Sequence, residues 1–376
     1  MIGMNTVYHE ILAWLKQGSD QTERSAAQQL AVWGGTSKEP PLLLCIDDAP
    51  QASLLPHFNT LETRNDAEKM LLTGLNAAVG ARVAGMGAVP SVRANMGCGV
   101  YAALFGLTQA FYTDKMPWLH ERLSKEAILH MRVSDLRMQG DFLTAIATMR
   151  YMKDALEGTG VAVFPLDLQG VVDLSHLVLG DDYFYELYDD VEGTLHLASL
   201  CAEALTMGTR AVFDVIAPDP NGWVAHYNDL VLPASQPLKF SEDTSTLLSK
   251  ASIESFAVPQ TQQVLRAFGG GYMHFCGKNP FLIDWALRDP LWTGLNFGNP
   301  DMHDMLAELR RVAAVGKVYY GRIPNWDNAP RRRHFRRVID ASRDANGMPR
   351  LLLSYSCNMA ERDAIADDWV AAGGGI

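Results

Sequence analysis

The spacing of hydrophobic and polar positions changes several times along this chain. Between residues 5 and 33 the apolar positions Ile11, Leu12, Trp14 and Leu15, then Ala26, Leu30, Val32 and Trp33, recur at helical intervals. That pattern predicts helices that pack on another body. Beyond residue 85, short β-rich runs alternate with longer helical stretches. The runs are AVPSVRAN (88–95), VAVFPLDL (161–168), RAVFDVI (210–216), LKFSED (238–243), GYMHF (271–275), TGLNF (293–297), KVYYG (317–321) and RLLLSYS (350–356). Between them, DDVEGTLHLASLCAEALTMG (189–208) and KASIESFAVPQTQQVLRAFGGG (250–271) read as helices, the second ending in a glycine run that caps it. Strict alternation of strand and helix predicts an α/β fold with a parallel sheet, and eight strands is the count that closes a barrel. A doubly wound sheet is the rival arrangement. The expectation is an N-terminal helical extension over residues 1–85 and a (β/α)8 TIM-type barrel over 86–376.

What favours the barrel is the polar character of the strand ends. In order they carry Arg93 and Asn95, Asp167 and Gln169, Asp214, Glu242 and Asp243, His274 and Cys276, Asn296 and Asn299, Arg322, then Cys357 and Asn358. A barrel of this kind places its chemistry at the carboxyl ends of its strands. Asn and Asp are also turn formers, so each of them alone says little. His274 and Cys276 are not turn formers, and two residues apart on an extended segment they point to the same side. Imidazole and thiolate are favoured zinc donors, and a catalytic zinc takes three protein ligands and keeps one position open. The pair alone is a weak pattern; Cys357, after the last strand, is the expected third ligand and Glu242 a fourth. A free cysteine is otherwise a small buried residue, a reading that covers Cys45, Cys98 and Cys201 and stands beside the ligand reading for Cys357. For Cys98, in a glycine-rich turn near the first strand end, an approach to the site is the lesser alternative.

Charge and composition narrow the function classes. A formal charge of −11 with a pI near 5.4 argues against a general nucleic-acid surface. Arg331, Arg332, Arg333, Arg336 and Arg337 form one basic run, read as a solvated helix face. No stretch reaches the roughly 18–20 apolar residues that span a bilayer. The first residues lack the basic start and apolar run of a secretory signal, so a cytoplasmic protein is expected. Five scattered cysteines do not make a disulfide framework, and reduced thiols can bind metal.

Taken together, PLDLQGVVDLSHLVLGDDYFYELYDD (165–190), EDTSTLLSKASIESFAVPQTQQVL (242–265), GGGYMHFCGKNP (269–280) and GLNFGNPD (294–301) resemble the uroporphyrinogen decarboxylase superfamily from about Pro90 onward. The resemblance implies a distorted (β/α)8 barrel with a helical N-terminal extension. True uroporphyrinogen decarboxylases carry an arginine-rich RQAGRY segment and a late histidine; this chain has no such segment and holds Cys357 at the late position. The other branch, the cobalamin-dependent methyltransferases, binds zinc through a His-x-Cys pair, a distant cysteine and an acidic residue in a segment like EDTS. The resemblance therefore assigns His274, Cys276, Cys357 and Glu242 to zinc, with Asp243 beside Glu242 as the other acidic choice. It implies Arg93 as a carboxylate holder and Asp167, His226 and Tyr227 as substrate-orienting groups, with the capping of a loop an equal reading for His226; Asn95, Gln169 and Asn296, at strand ends, are expected on the cofactor side. Expected cofactors are zinc and a corrinoid (cobalamin) methyl donor or acceptor. Expected partners are a small-molecule substrate and a corrinoid protein, a homodimer being allowed by analogy. The rivals are a metal-free decarboxylase and a non-catalytic corrinoid- or tetrapyrrole-binding protein.

Overall fold

The structure, a computed structural model, describes residues 4–227 and 229–376. Two helices, α1 (Met4–Lys16) and α2 (Asp20–Trp33), precede the first strand, β1 (Leu42–Ile46), which lies inside the segment expected to be helical throughout. After α3 (Ala67–Ala84) come β2 (Ser91–Val92) and β3 (Ala162–Val163), helices α4 (Val171–Leu179) and α5 (Val191–Val215), and an antiparallel hairpin of β4 (Trp223–His226) and β5 (Leu230–Pro233). The remaining strands are β6 (Leu238–Ser241), β7 (Gly271–Phe275), β8 (Trp292–Phe297), β9 (Val318–Gly321) and β10 (Leu351–Cys357). Helices α6 (Arg331–Ala341) and α7 (Arg362–Ala371) flank β10 in sequence.

Six strands form one parallel sheet in the order β1-β10-β9-β8-β7-β6. A parallel β2–β3 pair joins it through the bridge from Gln169 to Ser241. The run 210–216, expected to be a strand, is instead the end of the 25-residue helix α5. Its β-branched residues are outvoted by a helical pattern that starts at Val191 and buries Leu197, Cys201, Leu205 and Val212 along one stripe. No strand takes its expected place, since the segment after β3 bridges directly to β6 at Gln169 and Ser241; the strand that the sequence pattern did not show is β1, whose LLLCI run pairs in register with β10 from Leu42–Leu353 to Ile46–Cys357.

Each strand divides its side chains between two faces, as the period of two requires. Leu43, Tyr272, Val318, Tyr320 and Leu352 form a cluster with Val32 and Trp33 of α2 and Leu230 and Leu232 of β5. The alternate positions, such as Leu44, Phe240, Met273, Leu295, Tyr319 and Leu353, join the larger core under the outer helices. The inner face is thus floored by α2 and the hairpin, which are stitched together. Gln29 donates to the carbonyls of Gly87 and Asp229 and accepts from the Val231 N–H, each at 2.7 Å, while Trp33 Nε1 donates to the Val231 carbonyl at 2.7 Å.

Among the described residues no backbone ladder joins β1 to β2, and α3 packs closely against β1 there. A Cβ at Gly80 of α3 would lie 2.5 Å from the Ile46 carbonyl oxygen and 2.7 Å from Cys45 Sγ. Gly80→Ala is expected to destabilise the fold by about 1–3 kcal/mol through overpacking. Chemical denaturation should show a lower midpoint with an unchanged slope.

The arginine run on α6 is held as its sequence suggests. Arg331 and Arg332 pair with Asp368 of α7, and Arg337 with Asp327. No described helix is long and apolar enough to cross a membrane.

Candidate functional site

The carboxyl ends of β6 and β7 place three metal-ligating groups together. Donor atoms of Asp243, His274 and Cys276 all lie within 4.8 Å of one another, the one such group among the described residues. His274 Nε2 stands 3.7 Å from Cys276 Sγ and 3.8 Å from Asp243 Oδ1. Bonds of about 2.0–2.3 Å to a tetrahedral zinc would set its donors roughly 3.4–3.6 Å apart, so this set fits the ion after closing by a few tenths of an ångström.

The neighbours hold this geometry. Asp243 Oδ1 accepts the Cys276 N–H at 2.5 Å, and Asn299 accepts the Gly277 N–H at 2.8 Å, which ties the turn after β7 to the loops after β6 and β8. A Cβ at Gly298 would lie 2.5 Å from Cys276 Sγ, so this thiol needs a glycine opposite it. His274 Nδ1 meets Asn296 Oδ1 at 2.5 Å, its register partner on β8. Burial first, and the Asp243 carboxylate second, push the Cys276 thiol up to about 11. A cation at the centre of the three groups would reverse that, because it favours the thiolate.

Glu242 and Cys357 do not join them. On β6, Leu238 and Phe240 belong to the core under the helices, and Glu242 shares their parity. Its fully buried carboxyl accepts from the Ser245 hydroxyl at 2.7 Å and the Thr261 hydroxyl at 3.2 Å, and burial pushes its pKa up to about 7. Behind it Asp173, in the first turn of α4, accepts the Thr244 N–H at 2.8 Å. Burial, then the Glu242 and Asp243 charges, raise Asp173 well above the carboxylate range. Glu242 therefore braces the loop that presents Asp243. Cys357 shares the parity of Leu351 and Leu353 and is buried with them in the outer core, where Phe335 of α6 packs edge-on against Tyr355 of β10 and Trp369 of α7. The inward positions of β10 are instead Ser354, which donates to Asp229, and Ser356, which accepts from Arg322.

A second cluster sits beside the first. Asp167 faces Lys239 Nζ at 3.0 Å and Arg93 Nη1 at 3.6 Å, and Lys239 also donates to Ser241 at 2.5 Å. Burial works to raise Asp167, but Lys239 and then Arg93 overcome it and hold the carboxyl far below its usual range. Lys239 is held above its ordinary value by the same carboxylate, against burial. Two cations around one carboxylate leave a surplus positive charge. Arg93, Asp167, His226, Tyr227 and Lys239 line one small cavity.

Tyr227 forms its floor. It sits at the hairpin tip with a left-handed φ of 49°, its ring stacked 5.6 Å from Tyr320, 6.4 Å from the His274 ring and 5.4 Å from Lys239 Nζ. Of the two readings of His226, substrate orientation and loop capping, its hydrogen bond fits the second. Its Nε2 donates to the Pro237 carbonyl at 2.7 Å, and burial pushes its pKa down to about 3. Gln169 is buried and its backbone bridges to Ser241; Asn95 Oδ1 is buried without a hydrogen-bond partner. Lys239 is the charged group of this cavity that sequence reasoning passed over. The signal was present, since a lysine between Leu238 and Phe240 must point to the opposite face from them.

No protein-family profile matches this chain, and no curated protein matches it. Among solved structures, a methyltransferase from Methanosarcina mazei shares the fold with a TM-score of 0.64 at 12% sequence identity, covering 92% of this chain and 98% of that chain.

Proposed function

We propose that this protein is an enzyme of the uroporphyrinogen decarboxylase superfamily, a closed (β/α)8 barrel that moves a methyl group between a corrinoid and a small thiol or similar acceptor at a zinc centre. The observation that carries this reading is the convergence of Asp243, His274 and Cys276 at the ends of β6 and β7. The fold likeness to a protein described as a methyltransferase supports it. A zinc ion held by these three groups would supply a Lewis acid with an open position, where an acceptor thiol loses its proton near neutral pH.

The chain's own residues do the rest. Asn296 orients the His274 ring, and Asp243 holds the Cys276 backbone while offering a carboxylate oxygen to the metal. Lys239 and Arg93 leave surplus positive charge for an anionic group of the substrate, and Tyr227 closes the floor so that the acceptor is presented upward. Above them the segments following β1, β6, β8, β9 and β10 each expose an apolar side chain: Leu54, Leu247, Met302, Trp326 and Met359. That rim suits a large corrinoid or the protein that carries it.

A cysteine nucleophile working alone is disfavoured, because the thiol raised to about 11 stays protonated at neutral pH. The Arg93–Asp167–Lys239 cluster would by itself suit a metal-free decarboxylase that binds a carboxylate. One assay separates the two. Methylcobalamin, protein and a panel of small thiols are incubated anaerobically, and loss of the methylcobalamin absorbance is followed with and without a zinc chelator. Thiol-dependent demethylation that stops on chelation and returns with zinc is the expected result. No methyl transfer to any thiol by zinc-loaded protein would overturn the reading.

A further inference from the structure

We infer that Asn296 is a positioning residue that fixes His274 as its Nδ1–H tautomer and aims the bare Nε2 at Asp243 and Cys276. Its use rests on the zinc reading above, but the hydrogen-bond logic does not. The Tyr320 carbonyl oxygen can only accept, and Asn296 places an amide atom 2.6 Å from it. That atom must be the NH2 nitrogen, so the amide oxygen is the atom 2.5 Å from His274 Nδ1. An oxygen acceptor at that distance requires the ring proton on Nδ1. In the neutral ring the remaining nitrogen, Nε2, then carries a lone pair, and it is the one that faces Cys276 Sγ at 3.7 Å and Asp243 Oδ1 at 3.8 Å.

The arrangement is built into the sheet. Asn296 and His274 are direct partners in the β7–β8 register, so their inward side chains are neighbours by construction. The space for the amide is reserved by Gly321 at the end of β9, where a Cβ would lie 2.4 Å from Asn296 Nδ2. Histidine in water favours the opposite, Nε2–H tautomer, which would turn a proton toward the metal side. A chain of acceptor-only carbonyl, amide and imidazole removes that state before any ligand arrives.

The test begins with metal-free wild-type protein labelled with 15N-histidine, whose two ring nitrogens report the tautomer, and His274→Gln assigns the signal among the 10 histidines. A protonated Nδ1 and a bare Nε2 at His274 are expected. Asn296→Leu, which keeps the bulk and loses both hydrogen bonds, is expected to shift the ring toward Nε2–H and weaken zinc binding about 10- to 100-fold. A wild-type His274 with its proton on Nε2 would overturn the inference. So would Asn296→Leu protein with an unchanged tautomer and unchanged zinc affinity. Protein that shows the expected tautomer yet binds no zinc supports the role of Asn296 and sinks the zinc reading instead.

Discussion

On the proposed zinc reading, Cys276→Ser is expected to take zinc from about one ion per chain to under about a tenth, while Cys357→Ser keeps it. Asp243→Ala should behave like Cys276→Ser, and Glu242→Gln like Cys357→Ser. Parity along the strands decides which donors meet. His274 and Cys276 point inward with Tyr272, and Asp243 continues the inward row of Lys239 and Ser241. Glu242 and Cys357 each lie one residue out of step, with hydroxyl partners and apolar neighbours respectively on the outer face. Removing a donor from a three-ligand site removes a thiolate or a carboxylate that carries the ion's charge balance, whereas removing Cys357 costs only a buried sulfhydryl. Metal content by plasma mass spectrometry after dialysis under reducing conditions measures this, with far-ultraviolet circular dichroism to show that each variant is folded. Zinc lost from Cys357→Ser and kept by Asp243→Ala would mean that the distant cysteine is the ligand after all.

The same parity marks what the sequence made legible. The His-x-Cys pair stood out because both members sit on one strand, where the period of two decides their common side without any knowledge of neighbours. The other ligands depend on register between elements far apart in the chain. Leu238 and Phe240 fix Glu242 as outward and Lys239 as inward, but only once the apolar side is known to face the helices. For β10 the run LLLSYSC is apolar on both faces at its start, and the inward row becomes visible only from Ser354 and Ser356. The alternation of strands and helices was readable, yet RAVFDVI was mistaken for a strand because a short β-branched run at the end of a long helix carries no local mark of the helix. LLLCI was hidden by the helices on either side of it. The hairpin that raises Tyr227 into the site closes the floor through Gln29, some 200 residues away in sequence, a contact that no local pattern announces.

Lys239→Met is expected to lower stability near pH 7 by roughly 1–3 kcal/mol, because it leaves the half-buried Asp167 carboxylate with Arg93 alone, at 3.6 Å. In the wild type the folded pKa of Asp167 lies below its unfolded value, so its contribution is present above about pH 4 and is lost as the pH falls further. Lys239 is raised, so its contribution is complete below about pH 10 and is lost only as the pH climbs through its folded value. Taking Lys239 away removes the largest influence that lowers Asp167. Burial, then opposed chiefly by Arg93, moves its folded pKa up from the wild-type position, so the variant loses less stability than wild type as the pH falls and the acid becomes neutral. The gap between variant and wild type should therefore be widest near neutrality and narrow as the pH drops through about 4 to 5. Lys239→Met combined with Asp167→Asn should recover much of the loss at pH 7, since no unpaired carboxylate remains. Urea denaturation across that range measures the gap. A constant gap would show that Lys239 stabilises by packing its stem, whereas a closing gap ties it to Asp167 and to the surplus charge that the substrate's anionic group would meet.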